Sequence, residues 1–478
     1  MPDLRWFVRQ VEEAGDLARI QAEVDWDLEL GHVAKLSEER GGPLLLFERV
    51  KGYPGRPVLA SLFTTVRRMA IALGAPDRNS ICQLARFWVD RTKQPVPPTS
   101  VPPERAPVYE NSVTGPEVDV LRFVPVPKLY PMDGGRFIGT AVGVVTQDPE
   151  TGWVNVGTYR SQVFDGRTLG LQPIKGKDAD LHIQSARKRG MKRMPVALVF
   201  GSDPLLFLTA STLFGRGVCE YDMVGALRGE PMEVTPGRYT GLPIPADAEY
   251  VVEGDLVIAE DELRVEGPFG EYTGYYSGTP SPKVWIDVKA LHFRNDPLFP
   301  VSTVGRPITD THMIQSLNRT ATLWSDLEAM RIAGIQGVYC LPESGGRFIA
   351  VVSVDQKYPG HAEQVGMAVL GTTTGHYGVK YVILVDGDIP ADDLTQVWYA
   401  IAIRSSPDRC ELIKRGRSTP LDPGLPIHAR EITSKMIINA TTPYEWKDKP
   451  VQIRLDPATE ERVRSRWQEL GLSRFVTL

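Results

Sequence analysis

Cysteine is scarce in this 478-residue chain: Cys82, Cys219, Cys340 and Cys410 stand far apart and match no C-x-x-C or disulfide pattern. A reducing cytoplasm is the expected setting. Long apolar runs are missing too, since PVALVF (195–200) and YVILV (381–385) fall far short of the roughly 20 residues that span a bilayer. The opening MPDLRWFVRQVEEAG carries acids where a secretory leader needs an apolar stretch, so the expectation is a soluble chain with no membrane partner. Neither charge dominates: 54 Lys plus Arg stand against 59 Asp plus Glu, a formal net charge of −5 that offers no pull toward nucleic acid. The common nucleotide and hydrolase motifs are absent as well. No G-x-G-x-x-G follows a predicted strand, and H-E-x-x-H, G-x-S-x-G and the kinase motifs do not occur. GLQPIKGKD (170–178) imitates a phosphate loop, but it spaces its glycines by five residues and follows Lys177 with Asp. Any chemistry must therefore come from residues distant in sequence.

What is present is an ordinary globular composition, 42% hydrophobic and 24% charged, in a chain long enough for about three domains at roughly 150 residues each. Asp3 caps a predicted helix with Leu4, Phe7, Val8 and Val11 on one stripe, and a second helix is predicted from about Ser80 to Val89. PLLLFERV and RPVLASLF between them read as strands. Six prolines in 95–107 mark an extended linker. From Thr114 to about Val304 short β-branched segments alternate with turns, the pattern of a barrel or sandwich, with helices inserted near 178–189 and 221–228. A βαβα rhythm then returns as a separate layer domain, and Asp456 caps a terminal helix, PATEERVRSRWQELG, with Val463, Trp467 and Leu470 on one stripe before the tail FVTL.

Four segments of the middle region set polar residues in Gly-rich strand context. In Asn155-Val-Gly-Thr-Tyr-Arg160, a regular strand would put Asn155, Gly157 and Tyr159 on one face and Arg160 on the other. Taken alone, Arg160 reads as a surface charge, the His of Asp180-Leu-His182 as a helix-cap or core histidine, and Glu220 as a partner of its helix dipole. Glu266-Gly-Pro-Phe-Gly-Glu271 holds two carboxylates five apart on a turn dense in glycine and aromatics. Partial desolvation and a like charge nearby both raise a carboxyl pKa, the condition for a general acid at neutral pH, while a solvated hairpin with two surface acids is the plainer alternative.

In order along the chain, NVGTYRSQV, GVCEYDMVGAL and EGPFGEYTGYYS resemble the UbiD family of reversible decarboxylases, which includes ferulic acid, hydroxybenzoate and heteroaromatic acid decarboxylases. The resemblance extends through VPVPKLYPMDGGRFIGTAVGVVTQDPETG before them and through VSTVGRPITDTH, VVSVDQKYPGHAEQV, GVKYVILVDGDI and ITSKMIINAT after them. It implies a multidomain α/β (α+β) protein: an N-terminal α/β domain (1–113), a central split β-barrel flavin-binding domain (114–310), a C-terminal α/β oligomerisation domain (311–455), and a terminal helix and tail (456–478).

The resemblance also implies prenylated FMN made by a separate flavin prenyltransferase of the UbiX type, with manganese or magnesium and potassium. Asn155, His182 and Glu220 fall on the family's metal ligands. Gly157, Thr158, Tyr159, Arg160, Leu181, Ser211 and Lys380 fall on cofactor contacts, Lys380 reaching the phosphate. Arg160, Glu266 and Glu271 fall on the catalytic trio, with Glu271 as proton donor. Arg306, Asp310 and His428 lie in segments expected on the substrate side, where they favour an acid with a second polar or anionic group. The expected assembly is a homodimer or homohexamer, and the expected reaction is loss of carbon dioxide from an aromatic, heteroaromatic or α,β-unsaturated acid. A flavin-binding barrel oxidoreductase leaves the Glu266 and Glu271 pair without a task, and a non-catalytic subunit would be expected to lack one of the three residues.

Overall fold

The computed structural model describes residues 2–475, which divide into a large unit that ends at Thr441 and a small one that begins at Thr442. In the large unit the first helix, Leu4–Glu13, begins where the Asp3 carboxylate accepts the Trp6 amide, and it buries Leu4, Phe7, Val8 and Val11. The helix Ile81–Arg91 starts likewise, with the Ser80 hydroxyl accepting the Gln83 amide. Between them a four-stranded sheet runs in the order Leu17–Ile20, Leu44–Phe47, Val58–Ala60, Phe299–Val301. Its last strand arrives from far downstream and pairs in parallel with Val58–Ala60, its three residues buried.

The central sheet follows the path Val154–Gly157, Gly143–Gln147, Arg193–Phe200, Tyr250–Val257, Ser281–Phe293, Thr168–Leu171, Val163–Asp165. Its two ends are different strands, so hydrogen bonding leaves the sheet open. The 13-residue strand Ser281–Phe293 also pairs with Arg264–Glu266 and Asn111–Thr114. Helices Asp178–Lys188 and Glu220–Arg228 are inserted between the strands. The third sheet runs Ile335–Cys340, Ile349–Val354, Tyr381–Asp386, Ile432–Ala440, Cys410–Arg417, parallel in its middle and antiparallel at both edges. The 20-residue helix Asp310–Ala329 links it to the preceding strands. One apolar cluster joins Leu4, Phe63, Val145, Leu206, Leu317 and Val351, so residues from all three sheet regions share a core.

In the small unit the helix Pro457–Ser465, capped by Asp456, is shorter than the sequence pattern predicts. Past Ser465 the amides of Arg466 and Trp467 bond three residues back, to Val463 and Arg464, so the chain tightens into turns and Trp467 and Leu470 lie beyond the helix. Of the tail FVTL, Val476, Thr477 and Leu478 lie outside the described residues. Among the described residues no helix is long and apolar enough to cross a membrane.

Candidate active site

The two carboxylates at 266 and 271 owe their positions to a close meeting of two glycines. The strand Arg264–Glu266 ends at Glu266, and the chain turns through Gly267-Pro-Phe-Gly270 to Glu271. A Cβ added at Gly267 would stand 2.5 Å from the Gly134 Cα, and one at Gly134 would stand 2.4 Å from the Gly267 Cα. Only glycine fits at either place. The Gly134 amide donates to the Pro268 carbonyl at 2.7 Å, the Gly267 amide to Gln162 Oε1 at 2.7 Å, and the Gly270 amide to Asp133 Oδ1 at 2.9 Å. These bonds tie the turn down, and Glu266 and Glu271, 1% and 8% exposed, are held inside.

Arg160 reaches them because its strand is not regular. The ladder stops at Gly157, the Thr158 amide donates to the Ala210 carbonyl, and the chain leaves the sheet before Arg160. The alternation expected through Tyr159 therefore ends two residues early. The guanidinium grips Glu266 with Nε, at 3.2 and 3.1 Å from its two oxygens, and with Nη2, at 2.7 Å from Oε2, while Nη1 donates to Glu271 Oε1. The Phe269 ring lies 5.3 Å from the guanidinium carbon. Burial pushes the Glu271 carboxyl above its ordinary value; Arg160 opposes this and Glu266 adds to it. Burial also works against the charge on Arg160, but the two carboxylates outweigh it and raise its pKa. One cation facing two carboxylates leaves one negative charge uncompensated.

A second cluster lies where strand Val154–Gly157 pairs with Gly143–Gln147. Asn155 Nδ2 donates to Glu220 Oε1 at 3.0 Å, and the Val156 amide donates to Glu220 Oε2 at 2.7 Å. Thr146, the register partner of Asn155, has its hydroxyl 3.0 Å from His182 Nδ1. Trp153 sets its ring edge-on to His182 at 4.9 Å between centroids. His182 Nε2 is buried with no hydrogen-bond partner, and burial drives the imidazole pKa down to about 4, so the ring is neutral with a lone pair to offer. Burial pushes the Glu220 carboxyl up to about 8, with hydrogen bonds from Val156 and Asn155 opposing it. A carboxylate, an amide and an imidazole nitrogen lacking a partner fit a hard divalent cation. Among the described residues no group of three His, Cys, Asp or Glu could hold a metal, and this set includes an Asn.

The other expected site residues divide. Ser211 stands beside Thr158, its hydroxyl 3.5 Å from the threonine's, and the Tyr159 hydroxyl accepts the Ala179 amide and lies 3.5 Å from Asn155 Oδ1. A Cβ at Gly157 would meet the Tyr159 ring at 2.5 Å, so that glycine makes room for the tyrosine. Leu181 precedes His182 on the helix Asp178–Lys188. Lys380 is engaged elsewhere: its ammonium donates to Asp422 Oδ1 at 3.0 Å and stands over Phe348, so its charge is already compensated. Arg306, Asp310 and His428 do not converge. Arg306 is exposed and packs its stem on Gly274, whereas Asp310 is buried and accepts the Phe63 amide at 2.7 Å. His428 is exposed on the short helix Ile427–Ala429. Thr146, Asp133 and Gln162 position the site without having been read from the sequence. MDGG (132–135) is the one local signal, an acid before two glycines, that pointed to a close backbone approach.

Three family models match in chain order: the 3-octaprenyl-4-hydroxybenzoate carboxy-lyase N-terminal domain over residues 8–88, its Rift-related domain over 99–307 and its C-terminal domain over 312–440. A phenolic acid decarboxylase of Bacillus subtilis (strain 168) is 33% identical over 448 residues, 92% of each chain. The vanillic acid decarboxylase of Sedimentibacter hydroxybenzoicus in its open form superposes with a TM-score of 0.88 at 30% identity, over 98% of this chain and 99% of that one. The UbiD-class enzyme HmfF from Pelotomaculum thermopropionicum, in complex with FMN, gives 0.87 at 28% identity over 96% and 98%. With three domain models matched in order and near-complete coverage of its relatives, the chain belongs to the UbiD family and is a UbiD-type carboxy-lyase.

Proposed function

We propose that the chain catalyses reversible, non-oxidative decarboxylation of an aromatic, heteroaromatic or α,β-unsaturated carboxylic acid with prenylated FMN, Glu271 supplying the proton that replaces the carboxyl group. The observation that carries this reading is the Arg160 guanidinium held between two buried carboxylates. Relatives named as phenolic acid and vanillic acid decarboxylases support the reaction class, and HmfF structures with FMN and with prenylated FMN support the cofactor.

Asn155, His182 and Glu220 would hold a divalent cation, manganese or magnesium, against the cofactor phosphate, with Thr158, Tyr159 and Ser211 beside it. The bound flavin supplies an electron sink for the pair released as carbon dioxide leaves. The chain's own residues do the rest. Arg160 holds Glu266 in place through a two-pronged contact. While Glu271 carries a proton, Nη1 is released from it and is free to orient the substrate carboxylate. Glu271 then gives up its proton to the carbon, and burial, by raising its pKa, keeps that proton available for transfer. The cofactor comes from a flavin prenyltransferase, and the enzyme acts as a homo-oligomer, in keeping with a dimeric form of HmfF.

Co-expression with a flavin prenyltransferase, followed by assay of carbon dioxide release from a panel of aromatic, heteroaromatic and cinnamic acids, tests the reading. Release from at least one acid, abolished in Glu271→Gln with the flavin still bound, is the expected result. Flavin-loaded enzyme inert toward the whole panel, or a fully active Glu271→Gln, overturns it.

A further inference from the structure

A group of cations near Glu271 has no task in the mechanism above. Arg319, on the helix Asp310–Ala329, donates from Nη1 to the carbonyls of Thr374 and Tyr377 at 3.2 and 3.4 Å. Arg347 binds Gln315 Oε1 through Nε and Nη2 at 3.2 and 3.1 Å. Its guanidinium carbon lies 5.5 Å from the centre of the Tyr272 ring and 5.2 Å from that of Tyr377. Lys177, the last lysine of the loop that imitates a phosphate site, stands ahead of the helix that carries His182.

Among the described residues none of these three cations forms an ion pair with a carboxylate. They repel one another instead. Burial, and then Arg347, pulls Arg319 down to about 9; burial, and then Arg347 and Arg319, pulls Lys177 down to about 8, with Asp178 opposing. Arg319 and Arg347, half-buried and held by neutral oxygens, are costly unless an anion joins them.

The independent observation is Tyr272, the residue after the proton donor. Its side chain is 5% exposed, and its hydroxyl is buried without a hydrogen-bond partner. The ring is fixed by Gly345, where a Cβ would stand 3.1 Å from it. Arg347 stacks on the Tyr272 ring and, like Arg319, meets Tyr377, so an unsatisfied hydroxyl and two guanidinium groups without a carboxylate partner share one neighbourhood beside Glu271.

We propose that Arg319 and Arg347, with the Tyr272 hydroxyl, form a second anion site next to the proton donor, and that the preferred substrate is an aromatic acid bearing a second anionic group, such as another carboxylate. The proposal rests on the decarboxylase reading and narrows its substrate class. A cofactor phosphate has the same oxyanion chemistry, and the test separates the two.

The test uses chain co-expressed with a flavin prenyltransferase, in the Glu271→Gln background so that ligand is not consumed. Calorimetry compares terephthalate with benzoate, and absorbance gives the flavin content. Terephthalate should bind tighter by roughly tenfold or more, the worth of one or two charge-assisted hydrogen bonds. Added Arg347→Gln should bring the preference toward unity while flavin content holds. Tyr272→Phe removes one hydroxyl and should narrow the preference by a few-fold, which keeps the test decisive if a cation variant fails to fold. No preference in the starting protein overturns the site. Variants that lose flavin and keep the preference also overturn it, by assigning the cations to the phosphate. Because binding is read without turnover, an enzyme inert toward every acid sinks the decarboxylase reading and leaves the anion site to be judged by the calorimetry.

Discussion

Replacing Arg160 tests the linkage between charge balance and catalysis in the trio, because two substitutions remove different parts of its function. Arg160→Lys keeps the positive charge but replaces a planar fork with a single point. The native guanidinium makes three contacts to Glu266 and one to Glu271, and a lysine ammonium cannot reproduce the paired Nε and Nη2 geometry while reaching both acids. Losing about two charge-assisted hydrogen bonds at roughly 1.5–3 kcal/mol each, where they orient the reacting groups, predicts a fall of roughly 10²- to 10⁴-fold in kcat/KM. Arg160→Met goes further and leaves two buried carboxylates without a cation, a change that costs about 3–5 kcal/mol when the acids stay ionised. They need not stay ionised. Their pKa values in the folded variant will lie above the unfolded ones, so the loss is small below about pH 4.5 and grows as pH rises toward the raised values. Glu271 already starts from a raised value in the native chain. Thermal melts of both proteins from pH 5 to 8 should therefore diverge, the methionine variant falling further behind at each step. A gap independent of pH, or a lysine variant with full activity, would refute the reasoning.

Glu271→Gln should lower turnover by about 10²- to 10⁴-fold, the usual worth of a positioned general acid, with flavin absorbance unchanged; a parallel loss of flavin would point to a binding role. His182→Ala and Glu220→Ala should each reduce bound metal and flavin together, since a phosphate near a carboxylate needs a cation between them, and metal analysis of the purified variants checks this. Glu38 is buried, takes hydrogen bonds from Ser61 and Thr303, and is pushed up to about 8 by burial and by Asp310. Its folded pKa exceeds its unfolded one, so stability is lost as pH rises from about 4.5 to 8, and Glu38→Gln should flatten the melting-temperature profile across that window; parallel profiles would contradict the assignment.

What could be read from the sequence was what neighbouring residues decide. The Asp3 cap with its stripe of Leu4, Phe7, Val8 and Val11 fixes a helix locally, and the Gly-rich segment from Glu266 to Glu271 announces a tight turn. The pairing of Asn155 with Glu220 and the meeting of Arg160 with both acids followed from a family resemblance, since no local rule joins residues 65 to 111 positions apart. The strand's end at Gly157 was hidden because it depends on the Ala210 carbonyl capturing the Thr158 amide. Asp310 was expected with Arg306 on the substrate side, yet it opens a helix and turns to the Phe63 amide, while Arg306 remains in the loop before it. Arg319 and Arg347 come from two segments with no shared spacing, and only tertiary contact, at Tyr377, gathers them.

The short strand Phe299–Val301 has a consequence for how the protein is made. It completes a sheet whose other three strands end at Ala60, so the ribosome must deliver some 240 further residues before that edge is filled. At roughly 5–20 residues per second this delay is about 10–50 s, during which the main-chain groups of Val58–Ala60 lack their final partner. The nascent N-terminal segment is thus an unfinished template through most of synthesis, open to pairing with other extended chains. A chain truncated before residue 299 would keep that edge permanently, and it should aggregate more readily than the full-length protein even though every strand of its own first hundred residues is present.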